Sequence, residues 1–354
     1  MNSIFDKITD FYHKKLPFVV YRKPNADEVS GLFMNDDAIS YTTNFTESGF
    51  VFAPFNTEEK AILFPIEKGN FLTEKVQFEE EYQLNNHFIS DDSSKENHIK
   101  IVEKAIDIIS ENELQKVVIS RKELLAITEF NILEIYQKLL QTYANAFVYV
   151  WFHPKVGLWF GATPETLLQI ENTAFKTMSL AGTQVVKNAK NVVWKTKELE
   201  EQQLVTNFIS NQLNNIATDL EIDKTETIIA GNLLHLRTKV AGKLKSKNSK
   251  LKTLIKALHP TPAVCGLPRN LAKDFINQNE NYNREFYTGF LGELNLENSK
   301  HKVKKSNLFV NLRCMKIDNN TASIYIGGGI TKDSIAKKEW EETVSKSKTM
   351  KRVL

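Results

Sequence analysis

Residues 146–185, AFVYVWFHPKVGLWFGATPETLLQIENTAFKTMSLAGTQV, decide the fold class. Three apolar segments, AFVYVWFHP, GLWFGATPETLLQIE and AFKTMSLAGTQV, follow one another across short turns, the pattern of hairpins. Strands joined this closely pair antiparallel, because a parallel partner needs a long crossover. Outward from this stretch the pattern persists. PFVVYRK, GFVFAPF and AILFPIE read as strands in the first ninety residues, and KVVISRKELL (116–125) as another. HLRTKVAGKL, REFYTGFLGEL, SNLFVNLRCMKI and TASIYIGGGI read as further strands downstream. Helices come in blocks. Ile99, Val102, Ile106 and Ile109 predict one over 97–111, and others fall at 131–142, 195–216 and the C-terminal run from Asp333. Strands in series with helices added in blocks indicate an α+β fold rather than a doubly wound parallel sheet. The polar run SDDSSKENH (90–98) is a loop or weak boundary, dividing 1–96 from 97–350.

Composition narrows the function classes. The 354 residues hold 42% apolar and 25% charged side chains, ordinary for a soluble globular protein. Net charge is +3, from 46 basic and 43 acidic residues well mixed, which argues against a nucleic-acid surface. Cys265 and Cys314 are the only cysteines, so no disulfide framework or cysteine-rich metal site is expected. MNSIFDKITDFYHKKLPF is broken by charge every few residues and cannot form the apolar core of a signal peptide; no run reaches membrane-spanning length. A cytoplasmic protein without membrane contact is expected.

Two helices carry Glu-x-x-Glu on the stripe that should face inward. In KTKELEEQQLVTNFISNQLNNI, Glu198, Glu201, Val205, Phe208, Ile209 and Ile216 share one face. In DSIAKKEWEETVSKSKTMKRVL, Ile335, Glu339, Glu342, Lys346, Met350 and Val353 align likewise. Carboxylates are rarely buried unless paired or bound to metal. Either each Glu sits at the edge of its stripe beside a Lys, or the four share a hard cation such as Mg2+.

Other residues admit two readings as well. Lys116 opens an apolar strand and is either a solvated flank or, desolvated in a closed site, a general base. Glu165, after the Gly-Ala-Thr-Pro turn, is either an exposed turn residue or a carboxylic acid kept protonated by an apolar pocket. SLAGT (179–183) and IYIGGGIT (324–331) end strands in glycine turns able to aim N–H groups at an anion, without resembling a Walker loop or a dinucleotide fingerprint. Arg313, flanked by apolar residues in VNLRCMKI, needs an anionic partner such as a carboxylate. His235 and His259 show no metal-ligand spacing. This inventory suits a small substrate with more than one carboxylate, together with Mg2+.

The ordered motifs KVVISR, GATPETLL, SLAGT, KELEEQQLV, HPTPAVCGLP, REFYTGFLGE, NLRCMKI and GGGIT…EWEETVSK resemble the chorismate-utilising enzymes, over roughly residues 97–350. That family includes isochorismate, salicylate, anthranilate and aminodeoxychorismate synthases. The resemblance implies an α/β sandwich around two large antiparallel sheets in one domain, with 1–96 its variable part. It implies Glu201 and Glu342 as Mg2+ ligands, Glu198 and Glu339 contacting the ion through water, and the ion holding the ring carboxylate of chorismate. Arg313 and Lys346, with the backbone of Gly327 and Gly329, would bind the substrate's carboxylates. Gly182, Thr183 and His235 would sit in the substrate pocket.

Within the family, Lys116 stands where members using water as nucleophile have Lys and those using ammonia have Gln. Ala181 replaces the nucleophilic Lys common in aminodeoxychorismate synthases. The resemblance thus implies an isochorismate synthase, with Lys116 activating water and Glu165 protonating the C4 hydroxyl. It implies no amidotransferase partner and a monomer. Gln202 departs from the His or Asn usual after the first metal-helix Glu. Tyr287 and Leu312 are types shared with salicylate synthases, whereas Ala263 leans toward isochorismate synthase. A binding protein with a degenerate site is the reading from another class.

Overall fold

In the computed structural model, which describes residues 3–77, 82–84, 94–111, 113–185, 192–230, 233–245, 251–297 and 303–354, the stretch 146–185 forms four strands divided between two sheets. Phe147–His153 and Gly157–Thr163 pair as a hairpin within a nine-stranded antiparallel sheet. After Pro164 and Glu165 the chain enters a ten-stranded antiparallel sheet as Thr166–Glu171 and Ala174–Val185. GLWFGATPETLLQIE, expected as one strand, is therefore two. SNLFVNLRCMKI divides in the same way, into Lys304–Val310 in the ten-stranded sheet and Cys314–Asp318 in the other.

Local chemistry explains both breaks. Pro164 has no N–H for a ladder. Arg313 has φ +47°, in the left-handed region that side-chain-bearing residues rarely adopt. The two crossings lie side by side. Thr163 Oγ1 donates to the Val310 carbonyl at 2.6 Å, the Val310 N–H to the Glu165 carbonyl at 3.0 Å, and the Ala162 N–H to the Arg313 carbonyl at 3.0 Å.

The N-terminal part belongs to the same two sheets. Phe18–Arg22, Glu28–Met34 and Gly69–Lys75 extend the nine-stranded sheet, and Ser40–Thr42, Gly49–Ala53 and Ala61–Pro65 the ten-stranded one. Aromatic rings fill the space between the sheets, with Phe147 stacked on Phe309 at 4.2 Å and Phe64 on Trp151 at 5.0 Å.

Seven α-helices are seen among the described residues: α1 (Ile4–His13), α2 (Lys95–Ser110), α3 (Ile132–Thr142), α4 (Thr196–Asn214), α5 (Leu251–Leu258), α6 (Arg269–Asn279) and α7 (Ala336–Lys351). Ile8 of α1 and Leu139 of α3 cover the outer face of the nine-stranded sheet at Val20, Val150 and Phe160. Val205 and Ile209 of α4 and Leu254 of α5 cover the other sheet at Leu168, Phe175 and Val240. α2, α6 and the start of α7 close over the strand Lys116–Ala126. This is the α+β sandwich around two antiparallel sheets that the motifs imply. α1 differs from the strand-only reading of the first ninety residues; Ser3 and Asp6 cap its start reciprocally. α5 and α6 lie where no helix is expected, and residues 90–93 of the expected polar loop fall outside the described residues. No described helix is long and apolar enough to cross a membrane.

A buried ion pair fixes the strand that carries Lys116. Arg284 Nε donates to Glu280 at 2.7 Å, and its Nη atoms reach the carbonyls of Val118 (2.8 Å) and Val264 (2.9 Å). Glu280 in turn accepts from the Ser120 N–H at 2.7 Å. Removing one partner of such a pair leaves an uncompensated buried charge. Arg284→Met should therefore lower the unfolding free energy by about 3–5 kcal/mol in urea titrations. Adding Glu280→Gln should recover part of that loss; a loss under about 1 kcal/mol in the single variant would contradict this role.

Candidate active site

The side-by-side crossings place Glu165 and Arg313 on one cavity. Its other walls include Gly182, His235, Ala263, Tyr287, Gly327 and Lys346. Glu165 is 2% exposed, and burial pushes its carboxyl up to about 8, with the Lys116 ammonium pulling it only part of the way back. It is therefore largely protonated at neutral pH, as a proton donor must be.

Arg313 has no carboxylate partner among the described residues. Its Nη1 meets Thr349 Oγ1 at 3.3 Å and its Nη2 meets His235 Nε2 at 3.3 Å. Burial, followed by Arg313 and Lys346, holds the His235 imidazole down at about 3, so the ring is neutral. Its Nδ1 lies 3.1 Å from the Gly182 carbonyl, which assigns the N–H to that nitrogen and leaves Nε2 to accept from Arg313. Thr183 Oγ1 is 3.3 Å from the same Nδ1. Gly182 stands at a bulge between Ala181 and Thr183 with φ +67°, where only glycine sits without strain. A buried guanidinium held by neutral groups is preorganised for an anion from outside the chain.

The glycine strand Thr321–Ile330 forms the floor, and the inward carboxylates of α4 and α7 meet on it. A Cβ on Gly329 would stand 2.3 Å from Glu201 Oε1 and 3.1 Å from Lys116 Cε. One on Gly328 would lie 3.6 Å from Glu342 Oε1 and 3.8 Å from Glu339 Oε2. Each carboxylate holds a lysine. Lys116 pairs with Glu201 at 2.9 Å, Lys346 with Glu342 at 2.6 Å, and Lys197 with Glu339. Lys346 also donates to the Gly327 carbonyl at 3.0 Å. Burial raises the Glu201 carboxyl, but Lys116, Lys197 and Lys346 outweigh it and hold Glu201 below the usual range. Glu339 goes the other way, raised by burial and by the charge of Glu342.

The expected four carboxylates thus behave differently. Glu201, Glu339 and Glu342 gather at the glycine strand. Glu198 instead accepts from the Lys195 N–H at 3.0 Å, capping the start of α4. As they stand, no three His, Cys, Asp or Glu side chains among the described residues form a metal cage. The donor chemistry nevertheless fits a hard divalent cation: oxygen ligands only, and two acidic groups on α7 whose mutual repulsion a cation relieves. Such an ion has to displace ammonium groups that now neutralise the site.

Lys116 is fully buried behind Glu201 and Gly329, beside the cavity rather than on its wall. Tyr287 and Leu312 do line it. Arg284, Glu280 and Lys197 were not among the sequence candidates. The signal for Lys197 was its place four residues before Glu201, and for Arg284 its charge at the head of the apolar run REFYTGF. Tyr325, stacked on Tyr287 at 5.5 Å, forms an aromatic wall that a strand pattern cannot reveal.

A family model described as chorismate binding enzyme matches residues 53–354. Isochorismate synthase MenF from Escherichia coli K12 is 28% identical over 264 residues, 72% of this chain and 59% of MenF. Isochorismate synthase EntC from the same strain is 30% identical over 263 residues, 71% of this chain and 65% of EntC. The chain thus spans less than two thirds of either relative. The crystal structure of DhbC from Bacillus anthracis superposes with a TM-score of 0.82 at 23% identity, covering 99% of both chains, and so shares the fold. With the motifs, the two-sheet sandwich and most of its length matched, this chain belongs to the chorismate binding enzyme family.

Proposed function

We propose that the protein is an isochorismate synthase, converting chorismate to isochorismate by adding water at C2 and expelling the C4 hydroxyl. The observation that carries this reading is Glu165: a buried carboxyl held protonated on the wall of a cavity that Arg313, without a carboxylate partner among the described residues, also lines. Kinship with MenF and EntC supports the same reaction class. Lys116, where ammonia-using relatives carry Gln, and Ala181 favour water as the nucleophile.

In this mechanism Arg313, kept in place by neutral His235, and Lys346 bind the substrate's carboxylates. Glu201 and Glu342, with Glu339 beside them, would hold a Mg2+ ion, which when bound would supply positive charge for the ring carboxylate, while Glu198, expected to join them, stays at the start of α4. Lys116, once it has left Glu201 and given up its own proton, takes a proton as the neutral amine from the water that adds at C2. Glu165 gives its proton to the C4 hydroxyl, which leaves as water while the ring double bonds shift. One water enters and one departs, so the proton on Lys116 must return to Glu165 before the next turnover. Positioning and electrostatics carry the remainder of the catalysis. No amidotransferase subunit is required, and the protein acts as a cytoplasmic monomer whose product serves menaquinone or catecholate siderophore synthesis.

Incubation with chorismate and Mg2+ should yield isochorismate; salicylate plus free pyruvate as the main products would instead identify a salicylate synthase, a choice Tyr287 and Leu312 keep open. Lys116→Gln should cut turnover by roughly 10²–10⁴-fold while chorismate affinity changes only a few-fold, and near-normal isochorismate formation would remove Lys116 as the base.

Glu165 must be protonated to act, so kcat/KM should fall as pH rises through about 8. Glu165→Gln should lack that limb and lose activity by a comparable factor. Because the folded state raises this pKa, the carboxyl's contribution to stability is complete below its unfolded value and is lost as pH climbs through about 8. The Tm of Glu165→Gln should therefore gain on the parent between neutral and alkaline pH. In calorimetric titrations, Glu342→Gln should weaken Mg2+ binding by at least about tenfold, and unchanged affinity would exclude this residue as a ligand.

A further inference from the structure

A second cavity, of about 590 Å³, opens far from the glycine strand, between the loop after Gly49–Ala53 and helices α5 and α6. Its volume is in the range of small-molecule sites. Lys60, Lys252, Lys256, Arg269 and Lys273 line it against Glu58 and Glu59. Two of these cations are already engaged: Lys252 with Asn44 at 2.8 Å, and Arg269 with the carbonyls that end α5. Lys273 is different. Its side chain is only 17% exposed, and its ion partner, Glu58, is 81% exposed and 3.9 Å away.

Behind the lysines stands His259, 4% exposed, with neither ring nitrogen hydrogen-bonded. The carbonyls of Pro54 and Phe55 lie near enough to favour a charged ring, but neither is aligned for a full hydrogen bond. Buried polar groups are nearly always satisfied, so this poorly partnered imidazole beside a cationic cavity can turn its N–H to an acceptor seated there. Phe290, edge-on to His259 at 5.0 Å, and Pro260 add an apolar surface beside it.

We propose that this cavity binds a small organic anion, a carboxylate or phosphate head on an apolar body. Lys273, Lys256 and the His259 N–H hold the head, while Phe290 and Pro260 meet the body. The site has a physical connection to the reaction cavity. His259 and Pro260 line the outer cavity, whereas Ala263 and Val264, four residues on, line the inner one. The segment between is a tight turn, in which the Val264 and Cys265 N–H groups both donate to the Thr261 carbonyl, at 3.0 and 2.9 Å. An anion seated on His259 therefore stiffens the turn that shapes the inner wall, which makes the outer cavity a regulatory site.

Calorimetric titration of the full chain with benzoate and with phenyl phosphate, at ionic strength fixed with chloride, tests the site without any turnover. At least one probe should bind with unit stoichiometry. Lys273→Glu and the solvent-exposed Lys256→Glu should each weaken it at least tenfold, and Arg313→Ala should leave it unchanged; which probe binds tells carboxylate from phosphate. Hydrogen exchange at the Val264 and Cys265 amides should slow at least fivefold with the probe bound. Absence of binding by both probes overturns the site, as does binding that Arg313→Ala abolishes and Lys273→Glu spares. Unchanged exchange at those two amides overturns the relay. None of these readouts depends on the reaction assigned to the inner cavity.

Discussion

The contact between Lys116 and Glu201 joins the two halves of this molecule. Lys116 opens a strand of the nine-stranded sheet, and Glu201 lies on the helix that covers the ten-stranded one. The ammonium is fully buried and the carboxylate nearly so, and neither charge is tolerable there without the other. The pair needs space that only glycine leaves: any side chain at Gly329 collides with the Glu201 carboxylate. That single requirement explains why the third glycine of the strand cannot be exchanged.

Around that pair, chemistry is built from places where regular structure fails. Glu165 sits at one break between sheets and Arg313 at the neighbouring break. A carboxyl in mid-strand would point either to solvent or into the aromatic layer. At a crossing it instead faces the gap where the sheets separate. The laced hydrogen bonds between the two crossings keep the Glu165 carboxyl and the Arg313 guanidinium at a fixed separation, because neither connection moves without the other. α7 completes the wall. Arg121, over the Trp340 ring at 4.4 Å and bonded to Thr343 at 2.8 Å, holds that helix to the strand that carries Lys116.

Much of this was legible in the chain. The hairpin spacing in 146–185 identified antiparallel sheets, and the helical periods of α4 and α7 brought Glu201, Glu342 and Lys346 to one place. The changes of sheet were not legible, because Thr-Pro-Glu-Thr (163–166) and Val-Asn-Leu-Arg-Cys (310–314) read as short polar interruptions of the kind that end any strand, and a hydrophobic pattern does not record which sheet receives the next segment. Glu198 lay on the correct stripe but within the first turn of α4, where unpaired N–H groups compete for a carboxylate. Lys197 sits off the stripe and reaches Glu339 only because α4 and α7 converge, which is tertiary information. α1 was readable, since Ile4, Ile8 and Phe11 keep the helical period behind a Ser3–Asp6 cap.

The pairing of Lys116–Ala126 with Thr321–Ile330 has a kinetic side. These strands are neighbours in the sheet yet separated by roughly 200 residues, so their contact forms only after the chain between them has been made and folded. Until then Lys116 lacks the glycine strand beside it, and the first crossing lacks the second. The strand Thr321–Ile330 and α7, which form one side of the cavity, are thus the last parts of the site to be made.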